Sequence, residues 1–213
     1  MQTANKIYVI GIGYRPLDAR SRELICSAGV VVTSKRLHEV FQRYAEFDSV
    51  KDKIRVINKV DEIISFLHSS LLTPHSSQSI ILLASGDPLF FGIGRKVLEE
   101  FGHAHVEILP DLSSIQLAFA RIGEPWDNAF LMSLHGGPDP EKRRRLPYEL
   151  KDLPMLLRNH RKVAILTDKE NNPSEIARYL ASDPAVTLYV CEKLGSADEK
   201  ISSGRPAEIA EMS

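Results

Sequence analysis

Residues 79–94 read Ser79-Ile80-Ile81-Leu82-Leu83-Ala84-Ser85-Gly86-Asp87-Pro88-Leu89-Phe90-Phe91-Gly92-Ile93-Gly94, and this stretch decides the fold class. From Ile80 to Ala84 no polar residue interrupts the run. A strand with one wet face alternates polar and apolar residues, so an unbroken apolar run of this length points to a strand covered on both faces, as in a parallel sheet. The run passes straight into Ser85-Gly86-Asp87-Pro88, and a helix is expected from Leu89 to Phe101. Ligands of parallel α/β sheets sit outside the carboxyl ends of the strands, so the loop after Ala84 is where a site is expected.

Working outward, Ile7–Ile12 ending in Gly13 is a second buried strand, followed by a helix from Asp18 to Ala28 and a strand at Val30–Val32. Lys35–Phe41 predicts a helix, Ile54–Ile57 a strand, Asp61–Leu72 an amphipathic helix and His105–Leu109 another strand. Ser113-Ser114 then look like the cap of an Ala-containing helix reaching Ile122. A lobe boundary is placed here, giving residues 1–111 and 112–213. The second half predicts strands at Ala129–Leu134, Lys162–Leu166, Val186–Cys191 and Glu199–Ser202, with helices over Glu141–His160 and Ser174–Leu180. Strands alternating with helices make this an α/β protein of two lobes, each on a mostly parallel sheet.

Composition narrows the function classes. Lys+Arg number 27 against 28 Asp+Glu, a net charge of -1, so no broad basic field exists for nucleic acid and an anionic ligand must be met by a local patch. Cys26 and Cys191 lie far apart with no Cys-x-x-Cys or Cys/His cluster, so neither a disulfide framework nor a protein-bound metal is expected, and both read as small buried hydrophobes. The N-terminus has no signal-like apolar segment, and Ile7–Ile12 is too short to span a bilayer. A cytoplasmic protein without a membrane partner is expected.

Several motifs carry chemistry. Gly11-Ile12-Gly13 could begin a dinucleotide loop, but Arg15 and Pro16 stand where a third glycine and a helix start would be needed, and a tight strand-to-loop turn is an equal reading. Gly86 permits close backbone approach, and Asp87 can accept from an amine or a ribose hydroxyl; alternatively Asp87 caps the helix that follows, with Pro88 at its first position. Phe90 lines a pocket or packs as core, and Phe91 reads as core. Lys142-Arg143-Arg144-Arg145 is the densest basic run, either a solvated helix face or a set of forks for carboxylates. Arg15, Arg121 and, more weakly, Arg36 are further carboxylate partners on the same argument.

The Ser85–Gly94 block resembles the G-D-P loop of the tetrapyrrole (corrin and porphyrin) methyltransferases. Pro110-Asp111-Leu112-Ser113-Ser114 resembles that family's P-G-(I/V)-S-S helix start. Trp126-Asp127 and Ser133-Leu134-His135-Gly136 are similar to the CbiE-type, carbon-5 branch. Leu166-Thr167-Asp168, Asn172-Pro173-Ser174-Glu175 and Cys191-Glu192-Lys193-Leu194-Gly195 extend the likeness over nearly the whole chain. Three positions depart from the pattern: Arg15 replaces the last glycine of G-x-G-P-G, Asp111 the glycine of P-G-(I/V)-S-S, and Gly137 an arginine.

The resemblance implies the two-lobed tetrapyrrole methylase fold (class III methyltransferase), with S-adenosyl-L-methionine bound between the lobes and S-adenosyl-L-homocysteine as product. It implies cofactor contacts from Gly86, Asp87, Phe90, Ser113 and Ser114 on one side and from Leu134, His135, Leu166 and Thr167 on the other. It further implies methylation of carbon 5 of a precorrin, precorrin-6B or cobalt-precorrin-7, in cobalamin biosynthesis. Arg15, Arg121, Arg143 and Arg144 are the candidates for substrate carboxylates; His135 and Asp87 are the candidate groups to handle a proton, with a structural hydrogen-bonding role as the other reading of His135, and no base is assigned. No second glycine-rich strand-turn-helix start follows, so any decarboxylating carbon-15 activity is expected on a separate partner chain, and a homodimer is expected from the family. The rival readings are a methylase for another ring position and a non-catalytic scaffolding subunit.

Overall fold

The computed structural model describes residues 6–72, 79–135, 147–183 and 185–212. The chain divides into two units, Met1–Ser114 and Ile115–Ser213.

The first unit follows the alternation of the sequence: β1 (Ile7–Ile12), α1 (Ala19–Cys26), β2 (Val30–Thr33), α2 (Lys35–Phe41), the single turn α3 (Phe47–Val50), β3 (Ile54–Val56), α4 (Val60–Leu72), β4 (Ile80–Ser85), α5 (Gly94–Phe101) and β5 (Val106–Leu109). The five strands form one sheet in the order β3-β2-β4-β1-β5, and every pairing is parallel. Because side chains alternate across a strand, the run Ile80–Ala84 feeds two cores at once. Ile80, Leu82 and Ala84 pack with Ile7 and Val9 under Ile63, Ile64 and Leu67 of α4 and Val97 of α5. Ile81 and Leu83 pack with Ile10, Ile12 and Val31 under Leu24 and Ile25 of α1 and Leu37 and Phe41 of α2. Each such side chain contributes about 1.5–3 kcal/mol on burial, which makes the centre of this sheet the stable platform of the unit.

Local chemistry sets the helix starts. Asp18 Oδ1 accepts from the Ser21 N–H at 2.8 Å, so α1 opens on a carboxylate cap, and the Ser34 hydroxyl accepts from the Leu37 N–H at 3.3 Å at the start of α2. The helix expected from Leu89 begins only at Gly94. Pro88 lacks an N–H, and its carbonyl accepts from the Gly94 N–H at 2.9 Å, so residues 88–93 form an irregular loop, with Phe91 at φ 52. A Cβ on Gly92 would lie 2.5 Å from that same Pro88 carbonyl oxygen, which explains the glycine.

The second unit contains α6 (Ser114–Ile122), β6 (Phe130–Ser133), α7 (Leu153–Asn159), β7 (Val163–Leu166), α8 (Pro173–Tyr179), β8 (Leu188–Glu192), β9 (Lys200–Gly204) and α9 (Pro206–Ala210). Strands β6 and β7 are parallel, with Ser133 opposite Leu166. These two form the parallel sheet of this half, and β8 and β9 form a separate antiparallel pair, because the turn Lys193–Glu199 is too short for a crossover. Met132, Leu134, Leu153, Leu156, Ile176 and Leu180 form the core here. The helix expected over Glu141–His160 is described only from residue 147, as a single turn at Leu150–Asp152 followed by α7.

Two further expectations are corrected. Cys26 is exposed at the end of α1, and Cys191 is half-buried, where burial pushes its thiol up; neither is a core residue. Phe91 is half-buried in the irregular loop, its ring edge-to-face with Phe90 at 4.9 Å, and it joins neither core.

Candidate functional site

Strands β4, β1 and β5 lie side by side, with Ile12 opposite Ser85 and Ile10 opposite Leu109, so their carboxyl ends finish level and their loops meet. The Gly86 N–H donates to the Ile12 carbonyl at 2.9 Å, and the Gly86 carbonyl accepts from the Asp111 N–H at 3.1 Å. Gly86 is therefore the hub of the three loops. Its φ of +56° suits glycine, and a Cβ there would stand 2.7 Å from the Leu112 carbonyl oxygen. The close approach anticipated for a ligand is taken up, at this atom, by the chain's own backbone at Leu112 and Ser113.

Asp87 does not cap α5, which starts seven residues later at Gly94. Its Oδ1 accepts from the Leu89 N–H at 2.8 Å, and its carbonyl accepts from the Phe90 N–H at 3.1 Å, so it closes a tight turn. Among the described residues its second carboxylate oxygen retains its acceptor capacity, in a half-buried position one residue beyond the hub. Phe90 is half-buried in the same loop, Ser113 is buried beside Gly86, and Ser114 is the exposed first residue of α6. The structure thus gathers Gly86, Asp87, Phe90, Ser113 and Ser114 at one sheet end.

The loop after β1 is held by a residue that carries no motif signal. The Tyr44 hydroxyl donates to the Gly13 carbonyl at 2.9 Å and receives the Gly13 N–H at 3.2 Å, holding both backbone polar groups of one residue. Burial pushes the Tyr44 phenol up to about 12. Two residues on, Arg15 reaches Asp111: its Nε donates to Oδ1 at 2.9 Å, and its Nη2 bonds the same oxygen. The Leu112 N–H donates to that oxygen at 2.7 Å as well. Gly11, Arg15, Pro16, Leu17, Asp18, Ser21, Pro110 and Asp111 line a pocket beside this pair.

In the second unit, the ends of β6 and β7 bring together the other predicted positions. The Leu134 N–H donates to the Leu166 carbonyl at 2.8 Å, and His135 Nδ1 lies 3.4 Å from the Thr167 carbonyl oxygen. Asn171, which sequence reasoning did not single out, donates from Nδ2 to the Leu134 carbonyl at 3.2 Å and ties the two loops. His135 is exposed. Arg121 pairs with Glu199, Nε to Oε1 at 2.6 Å, and Glu199 Oε2 accepts from the Gly195 N–H at 2.5 Å. These two donors hold the Glu199 carboxyl below the usual carboxylate range. Arg36 is exposed on α2, while Arg143 and Arg144, with the rest of the basic run, lie outside the described residues.

Among the described residues no three His, Cys, Asp or Glu side chains are grouped to hold a metal, and no helix is long and apolar enough to cross a membrane. The arrangement offers backbone amides, small residues, one available carboxylate edge and an aromatic ring at a strand end, a set suited to an organic ligand with an amine or hydroxyls.

Comparison with known proteins gives this site a context. The chain is 29% identical over 211 residues to a probable cobalt-precorrin-7 C(5)-methyltransferase of Methanocaldococcus jannaschii, covering 96% of this chain and 91% of that protein. It is 38% identical over 113 residues to the cobalt-precorrin-7 C(5)-methyltransferase of Salmonella typhimurium, a match that spans 53% of this chain and about half (50%) of the Salmonella protein. A precorrin-6Y C(5,15)-methyltransferase [decarboxylating] of Sinorhizobium is 33% identical over 126 residues, 58% of this chain but 28% of that protein. The fold matches the crystal structure of the precorrin-6Y methylase (cbiE) of Archaeoglobus fulgidus with a TM-score of 0.70, 22% identity, and 98% and 93% of the two chains covered. The model of the tetrapyrrole (corrin/porphyrin) methylases matches residues 6–210, and the chain belongs to that family.

Proposed function

We propose that this protein is an S-adenosyl-L-methionine-dependent methyltransferase acting on carbon 5 of a precorrin, precorrin-6B or cobalt-precorrin-7, in cobalamin biosynthesis, without a decarboxylating carbon-15 activity. The observation that carries the reading is the Gly86 hub with Asp87 beside it, in a chain whose family membership runs from end to end of the described fold. The near full-length match to a relative named for the C(5) reaction supports the carbon-5 step, as against the partial match to a decarboxylating relative.

The residues present fit such a cofactor. Asp87 keeps a carboxylate edge for an amine or ribose hydroxyls and Phe90 offers a ring face, on a loop that the Gly86 backbone bonds to Ile12 and Asp111 hold in place. Leu134, His135, Leu166 and Thr167 are proposed as a further set of cofactor contacts, through backbone groups at the ends of β6 and β7. When bound, the cofactor supplies an electrophilic methyl on sulfur. A meso carbon of a partly reduced tetrapyrrole is enamine-like and nucleophilic, so the work of these residues is to hold the acceptor in line and exclude water, and positioning can supply most of the acceleration. His135 is the candidate to take up the proton lost from the methylated carbon. A cytoplasmic homodimer, with any carbon-15 activity on a separate chain, completes the reading.

The direct test is incubation with isotopically labelled S-adenosylmethionine and either precorrin-6B or cobalt-precorrin-7, with the methylated carbon located by NMR. Label at carbon 5 with no carbon dioxide released is the expected result. Label at another ring position, or none, overturns it.

A further inference from the structure

The pair Arg15 and Asp111 joins the loops after β1 and β5, and these are the two positions at which a side chain replaces a glycine of the pattern that the sequence resembles. Where the pattern has two residues without side chains, this chain has an acid and a base that meet. Both Arg15 donors used, Nε and Nη2, fall on one oxygen, so Asp111 takes the side-on edge of the guanidinium. A guanidinium has five N–H groups, and the end-on edge formed by Nη1 and the outer hydrogen of Nη2 matches a second carboxylate. Among the described residues nothing pairs with that edge, and the Arg15 side chain is 56% exposed, against 13% for Asp111. The acid is seated in the protein and the base faces outward.

Asp111 is itself fixed. Its Oδ1 also receives the Leu112 N–H, and its backbone N–H is held by Gly86, the hub of the proposed cofactor loop. The Arg15 loop is anchored from behind by Tyr44 on Gly13. The other carboxylate beside the pocket, Asp18, is engaged by the backbone and hydroxyl of Ser21, so its charge is directed at the start of α1. Long cationic side chains lose much rotamer freedom on binding; an arginine already held on one edge loses less.

The geometry points to Arg15 as a specificity-determining contact for a peripheral carboxylate of an acidic macrocycle, with Asp111 as the positioning residue that aims its free edge. This inference rests on the tetrapyrrole reading above and names how the chain meets the substrate's charge. It makes a prediction of unusual sign. If Asp111 acted only through its charge, Asp111→Asn would remove a repulsive carboxylate and tighten anion binding. If it positions Arg15, the same substitution weakens binding.

The test uses the full chain and uroporphyrin, a stable macrocycle with eight carboxylates, titrated by fluorescence, alongside calorimetry with S-adenosylhomocysteine. Arg15→Gln is expected to weaken uroporphyrin binding about tenfold, the loss of one charge-assisted fork, while changing S-adenosylhomocysteine affinity less than about twofold. Arg15→Lys should restore only part of that loss, because an ammonium cannot present a planar fork. Asp111→Asn is expected to weaken uroporphyrin about threefold, and to add nothing in the Arg15→Gln background. Should Asp111→Asn perturb the fold, seen as a lowered melting temperature, the comparison of Arg15→Gln with Arg15→Lys stands alone, since both change an exposed side chain. Tighter binding by Asp111→Asn, or unchanged binding by Arg15→Gln, overturns the inference. A chain that binds uroporphyrin in this pattern but no S-adenosylhomocysteine leaves the inference standing and removes the methyltransferase reading instead.

Discussion

Gly11 and Gly86 meet backbone to backbone: a Cβ on Gly11 would lie 1.8 Å from the Gly86 carbonyl oxygen and 2.6 Å from the Asp111 nitrogen. The first glycine of Gly11-Ile12-Gly13 is thus required by the protein's own chain: it lies within β1, next to its last residue, where the backbone at Gly86 and Asp111 passes too close for a side chain.

This contact separates two kinds of glycine. Gly11→Ala forces backbone to move and is expected to destabilise by about 3 kcal/mol or more, as overpacking of a tight core does. Gly102→Ala meets nothing within 4 Å but sits at φ 73 and ψ 161, a region essentially open only to glycine, so its cost is the conformational strain alone, about 1–3 kcal/mol. Chemical denaturation of both variants checks the order.

Tyr44→Phe removes both hydrogen bonds to the Gly13 backbone and is expected to cost about 1–2 kcal/mol. The same residue gives a pH signature. Its folded pKa is raised by burial to about 12 from 10.0, so its neutral hydroxyl contributes stability that is fully present below pH 10 and is lost as pH rises through the folded value. Unfolding free energy measured from pH 9 to 12 should fall in the wild type, and the slope should be shallower in Tyr44→Phe.

At the turn between β8 and β9 the sign is reversed. Glu199 is held low by Arg121 first and by the Gly195 N–H second, so its contribution is present above the ordinary glutamate value of 4.5 and is lost as pH falls through the lowered folded one. Hydrogen exchange at the Gly195 amide should quicken as pH drops below about 4.5, after correction for intrinsic exchange, and Glu199→Gln should remove that extra acceleration. A Gly195 amide whose protection ignores both changes would rule the arrangement out.

What could be read from the sequence, and what could not, divides by range of interaction. The Ile80–Ala84 and Ile7–Ile12 runs were legible because a strand covered on two faces must be apolar throughout, and both became neighbours at the sheet centre. The caps at Asp18, Ser34 and Asn172 depend on bonds three residues away and lie within the reach of local pattern. The start of α5 was placed early because Asp87-Pro88 looks like a helix opening, whereas the Pro88 carbonyl instead gathers Gly92 and Gly94 beneath it. The antiparallel pairing of β8 with β9 has no counterpart in apolar pattern, since both strands lie partly exposed.

The site shows the same division. Gly86 and Asp87 stand out in the sequence from their place after a buried strand, and Ser113 from the resemblance of its block. Tyr44 does not, because its partner Gly13 is 31 residues away and a tyrosine after a helix carries no signal. Arg15 and Asp111 each appeared as a separate departure from a glycine pattern; that they answer one another across 96 residues is visible only in three dimensions.

The claim that the Gly86–Phe90 loop holds a nucleoside-bearing cofactor is tested most directly by calorimetric titration of the chain with S-adenosylhomocysteine. The account predicts micromolar binding by the wild type and a loss of about tenfold or more in Asp87→Ala, the scale of one hydrogen bond to a charged acceptor. Binding that Asp87→Ala leaves untouched, or no binding by a folded wild-type chain, would contradict it.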